Sequence, residues 1–159
     1  MTILLALDLN DAPTVLLKQA KAFAQAFKQR LVLLTVENLS PDMIGYDVVT
    51  GEAIISYTDI QPIRDGIAQR LRNEHQHLHA VMKECQEEGI DCTALLINNS
   101  PDFAKSILAQ AEKHQASMIL LGKHPKSLMS RLLEGSVSTD VLKHSTIPVV
   151  IVPIADSLA

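Results

Sequence analysis

Five short, unbroken apolar runs limit what this chain can fold into: Ile3–Asp8, Leu31–Val36, Thr93–Ile97, Met118–Leu121 and Ile147–Val152. None alternates apolar with polar residues, so each predicts a strand buried on both faces. The stretches between them have helical periods. Asn10 or Asp11 can cap a helix over Ala12–Gln29, with Pro13 in its first turn, where a missing N–H is harmless. Val15, Leu16, Ala20, Phe23, Ala24 and Phe27 would form its inner face. A long helix over Ile63–Glu88 would turn Ile63, Ile67, Leu71, Leu78, Met82 and Cys85 to one side and stop at Gly89. A third, capped by Ser100, would begin at Pro101 and reach His114 through Ile107, Leu108 and Ala111. A last one is expected from Ser136 to Ser145.

The order β-α-β-α-β-α-β-α-β predicts an α/β fold, a doubly wound five-stranded parallel sheet with helices on both faces, as a single domain over 1–159. Only Glu37–Gln61, with Pro41, Gly45 and Gly51, lacks a period, which points to a functional loop or flap.

Composition removes several functions. With 18 acidic against 14 basic side chains and no basic stripe, a general nucleic-acid binder is not expected. No apolar stretch nears the ~20 residues that cross a bilayer, and the first residues do not read as a secretory leader. Cys85 and Cys92 suit a helix core and a strand start better than a disulfide framework, which fits a reducing cytoplasm. Five aromatic residues leave the core to aliphatic side chains.

In a doubly wound sheet, ligands bind beyond the carboxyl ends of the strands. Three segments should meet there: Asp8, then Thr35-Val36-Glu37, then Gly122 with the run to Gly135-Ser136-Val137-Ser138. Gly135-Ser136 opens the last helix, whose free N–H groups and positive dipole end suit a phosphate. Ser136 and Ser138 add hydroxyls, and Lys123, Lys126 and Arg131 add positive charge. His75 and His79 share a helix face, but no third metal ligand accompanies them, so a solvated face is expected. A phosphoryl-accepting receiver domain has the same topology. It needs an Asp after strand three and a Lys after strand five, where this chain has Asn98 and Pro153.

Gly122-Lys123-His124-Pro125, nine residues, then Gly135-Ser136 resembles the phosphate motif of the universal stress proteins: Gly, two residues, Gly, nine residues, Gly-Ser or Gly-Thr. ILLALD, LVLLTV, the ILLG strand end and IPVVIVP extend the resemblance along the whole chain. Pro125 replaces the middle glycine; it has no N–H to offer a phosphate and cannot adopt a positive φ. The resemblance implies an adenine nucleotide as ligand: ATP, or AMP or ADP, which ask less of the altered loop. Mg²⁺ would come only with the nucleotide. It implies Asp8 at the adenosine, the Val36 backbone at the adenine edge, and Leu121 and Gly122 at the ribose, with Lys123 adjoining. Gly135, Ser136, Val137 and Ser138 would hold the phosphates. It further implies a homodimer through the last strand, Ile147–Val152, and a regulatory role in stress response toward a protein partner. The alternative within the family is a dimerisation module without nucleotide. No base or nucleophile other than Asp8 is poised near the phosphates, so no catalytic residue is assigned and turnover beyond slow ATP hydrolysis is not expected.

Overall fold

The apolar runs form the strands of one sheet, and the amphipathic stretches cover it. In the computed structural model, residues 1–7, 14–37, 57–98, 100–123 and 137–153 are described. Their elements are β1 (Thr2–Ala6), α1 (Thr14–Phe27), β2 (Arg30–Val36), α2 (Tyr57–Glu87), β3 (Cys92–Ile97), α3 (Phe103–Lys113), β4 (Ala116–Lys123), α4 (Val137–His144) and β5 (Val149–Pro153). The strands lie in the order β3-β2-β1-β4-β5, and every pairing is parallel. The chain reverses direction of travel across the sheet at β1, so the switch point falls between β1 and β4.

Period two divides the core. Ile3, Leu5, Leu31, Leu33 and Leu120 pack with Leu16, Ala20 and Ala24 of α1 and Leu78 and Cys85 of α2. Leu4, Val32, Leu34, Ile119 and Leu121 pack with Ala104, Ile107 and Ala111 of α3 and Val141 of α4. A strand flanked by two such layers must be apolar at every position, which is why the runs do not alternate. Cys85 and Cys92 are buried free thiols, one on α2 and one opening β3. Lys21 ties α1 to α2 through Glu84 and, at 2.9 Å, Glu88. Burial works against its charge, but the hydrogen bonds it donates to both carboxylates outweigh that and raise its pKa.

Several expected boundaries shift. Asp102, not Ser100, caps α3, its carboxylate accepting the Lys105 N–H at 3.0 Å. The Ser100 hydroxyl instead donates to the Asp102 carbonyl at 3.0 Å and meets Ser106 Oγ at 2.5 Å. Helix α2 begins at Tyr57, upstream of Pro62, so part of the expected flap is helical. Strand β5 begins at Val149 and takes in Pro153. On α1, Val15 and Phe27 are exposed rather than inward, and Leu16, Ala20 and Ala24 carry the contact. The caps proposed at Asn10 or Asp11, and residues 38–56 of the flap, lie outside the described residues.

Candidate functional site

Main-chain geometry defines the carboxyl edge. Ala6 is the last β1 residue and stands opposite Leu34, so β2 runs on past it through Thr35 and Val36. On the other side Leu5 stands opposite Leu120, and β4 continues through Gly122 and Lys123, which pair with Val152 and Pro153 of β5. Gly122 and Lys123 thus belong to the strand and not to a loop, because β5 runs far enough to pair with them. Among the described residues the central strand ends before both neighbours, which leaves a step, or notch, in the carboxyl edge of the strand ladder.

Alternate residues of a strand direct both peptide groups to alternate neighbours. The Leu34 carbonyl accepts the Leu7 N–H at 2.8 Å, so Leu34 faces β1. The Glu37 N–H donates to the Ile97 carbonyl at 2.7 Å, so Glu37 faces β3. Val36, between Thr35 and Glu37, therefore directs its N–H and C=O to the β1 side, into the notch. Among the described residues neither group has a backbone partner beyond the strand ladders. Orphaned main-chain groups at a switch point are a ready donor and acceptor for a ligand.

Three of the expected site residues share one apolar face: Leu121 is buried there, with Val36 and Val137 half-buried against it. Ser138 follows in the first turn of α4, half-buried. The fold thus gathers Val36, Leu121, Gly122, Val137 and Ser138 around the carboxyl edge. The backbone of Lys123 is at the end of β4, but its side chain lies outside the described residues, as do Asp8, Pro125, Gly135 and Ser136. Asp140, which the sequence alone did not mark, adds a carboxylate to the first turn of α4. It interacts with the positive end of the helix, as a phosphate would.

On the other face, Thr35 is 1% exposed, and its hydroxyl has no partner among the described residues. A buried hydroxyl without a partner costs desolvation for no return, so Thr35→Val should stabilise the protein by about 1 kcal/mol. Denaturant unfolding checks this; a loss of stability would mean that the hydroxyl is bonded. Below Glu37, an ion-pair chain runs to Arg70 (3.6 Å) and from Arg70 to Glu74 (3.2 Å). Sequence reasoning missed it, although Arg70 and Glu74 are spaced as helical neighbours.

An open groove of about 450 Å³ lies at the opposite, amino end of the sheet, between Leu108, Ala111 and Ile119 and the segment His144–Ile147. The carboxyl ends of α3 and α4 border it, so it offers carbonyls rather than N–H groups and suits a phosphate poorly. His75 and His79 stack at 6.4 Å between ring centroids on the exposed side of α2. No helix among the described residues is long and apolar enough to cross a membrane.

A parallel sheet of this order, helices on both faces and a notch at its switch point define a Rossmann-like α/β protein. The model of the universal stress protein family matches residues 1–153, and the chain belongs to that family. It is 27% identical over 151 residues to universal stress protein Sll1388 of Synechocystis, covering 94% of this chain and 96% of that one. Universal stress protein MJ0577 of Methanocaldococcus jannaschii is 24% identical over 153 residues, covering 94% and 93%. The solved structure of MJ0577 superposes with a TM-score of 0.67 at 22% identity over 98% of this chain and 97% of that one. A universal stress protein from Archaeoglobus fulgidus in complex with dAMP gives 0.58 at 16% identity, covering 95% and 96%. An Arabidopsis thaliana family protein with AMP bound gives 0.53 at 17%, covering 99% and 93%. Against a longer Archaeoglobus fulgidus universal stress protein (TM-score 0.60, 19% identity) the chain spans 44% of its length.

Proposed function

We propose that this chain binds an adenine nucleotide at the β1/β4 notch and acts as a homodimeric regulatory module of its family in the cytoplasm. The observation that carries this is the Val36 peptide, whose N–H donor and C=O acceptor face the notch side by side. Adenine presents the complementary edge, an N1 acceptor beside an N6 donor. Hypoxanthine and guanine present the reverse, an O6 acceptor beside an N1–H donor, and would leave both pairs mismatched. The AMP and dAMP bound by relatives of the same fold support this choice of ligand.

In this proposal Asp8, Leu121 and Gly122 flank the adenosine, Lys123 lies beside them, and Gly135, Ser136, Val137 and Ser138 receive the phosphates. ATP, ADP and AMP share the base-side contacts, and Mg²⁺ would enter only with a polyphosphate. Among the described residues β5 pairs with β4 alone, so in this proposal its other edge is the surface for a second copy. Calorimetry with ATP, ADP and AMP tests the binding claim, and no detectable heat at millimolar nucleotide overturns it. One observation favours a second proposal, a dimerisation module without nucleotide: Pro125 stands where the family's loop has glycine. Protein purified without any bound nucleotide, and unresponsive to added nucleotide, would decide for that module.

A further inference from the structure

The two cysteines of this chain meet in its core, at the end of the sheet away from the notch. Cys85 sits in the last turn of α2 and Cys92 opens β3, at 0% and 1% exposure. The connection between them folds back tightly. The Ile90 N–H donates to the Cys85 carbonyl at 3.0 Å, and Gln86 Nε2 donates to the Cys92 carbonyl at 3.0 Å. Gly89, at φ +82°, makes the turn. The Cys92 thiol has two acceptors in reach, the Thr93 carbonyl at 3.8 Å and the Cys85 sulfur. Its hydrogen bond holds the Cys85 thiol below the ordinary range, opposed by burial, Glu84 and Glu88 and helped by the Lys21 ammonium. The same bond, with burial, pushes the Cys92 thiol up. The side chains of Glu84 and Glu88, beside Cys85, are 56% and 44% exposed, so one fraying turn of helix separates that sulfur from water.

We infer that Cys85 and Cys92 are a reversible dithiol site, closed to a disulfide by hydrogen peroxide, which fastens the end of α2 to β3. The Cys85 thiolate attacks one peroxide oxygen; an S–O bond forms, the O–O bond breaks, and the hydroxide released takes up a proton as water. Cys92 sulfur then attacks the sulfenic sulfur of Cys85. The S–S bond forms, the S–O bond breaks, and the departing hydroxide leaves as water with the Cys92 proton. Two thiols thus lose two electrons and one peroxide becomes two waters. Dithiol reductants reverse the step by exchange, and disulfides of this kind in reducing compartments are mostly transient sensors. This site is independent of the adenine proposal, and its test needs no nucleotide. The folded full chain is treated with peroxide, alkylated and digested with trypsin, which leaves both cysteines and no methionine in the peptide Glu84–Lys105. That peptide should be lighter by two hydrogens and unalkylated, and dithiothreitol should restore both thiols. In the oxidised chain, hydrogen exchange at the Gly89 and Ile90 amides should slow about tenfold. Cys92→Ala should stop at the sulfenic acid of Cys85, which dimedone traps. If that variant does not fold, a brief peroxide pulse on the wild type in the presence of dimedone should place the adduct on Cys85. Two alkylated thiols at peroxide doses that oxidise free cysteine, a disulfide joining two chains, or loss of the fold on oxidation would each overturn the inference.

Discussion

Val36→Pro is expected to weaken AMP binding about 30-fold, ~2 kcal/mol, by deleting one donor and leaving its base partner unpaired. Proline in the middle of a parallel sheet normally breaks a ladder bond and unfolds the strand locally. Here the lost N–H faces the notch, past the end of β1, so the β2–β3 ladder keeps its bonds. The variant should therefore stay folded, with unfolding free energy within about 1 kcal/mol of wild type. Val36→Ala keeps the N–H and should hold AMP within about threefold of wild type. Calorimetry on the pair separates a main-chain contact from a side-chain one. Equal losses in both variants would assign the effect to the valine methyls and remove the main-chain basis of the proposal.

Leu120→Ala should have the largest effect on stability. Leu120 is fully buried in β4, opposite Leu5, and packs on the face shared with α1 and α2. Its truncation combines lost transfer energy with an unfilled cavity, about 2–5 kcal/mol. For a chain of this length that lowers Tm by roughly 10 °C. Leu142→Ala on α4, where the side chain is 52% exposed, should change stability by no more than about 0.5 kcal/mol. Thermal unfolding of the two variants measures whether the five-strand core or the helical surface carries the fold. A small shift for Leu120→Ala would mean that the core repacks around the gap.

Much of this architecture was legible in the residues, for a physical reason. A strand covered on both sides has no wet face, so LVLLTV and its companions could be read as central strands without knowing what covered them. Strand ends were less legible. Gly122-Lys123 looks like the start of a loop, and only the length of β5 shows that both residues are paired. The cap of α3 was ambiguous because Ser100 and Asp102 are both strong capping residues. The choice depends on Ser106, which engages the Ser100 hydroxyl. The Glu37–Arg70 tie joins residues far apart along the chain, and no local pattern announces such a pair. The Val36 main-chain groups, without a backbone partner on the β1 side among the described residues, were harder still, since they are a property of register: the β1–β2 pairing ends at Ala6 and Leu34 while β2 goes on through Thr35 and Val36. The family resemblance pointed to Val36; the register shows only that its main-chain groups face the β1 side.

A notch lined by peptide groups has a consequence for how such proteins diverge. Any amino acid other than proline supplies the same N–H and C=O at position 36, so, if the edge binds as proposed, side chains there can drift without altering what it recognises. Selection on the ligand would then act on strand lengths and registers, and on the few contacts that pin them, more than on the lining residues themselves. Counting matched side chains would underestimate how much of the recognition surface two relatives share. Insertion or deletion of a single residue in β1 or β2, by contrast, would turn the peptide away and change the ligand at a stroke.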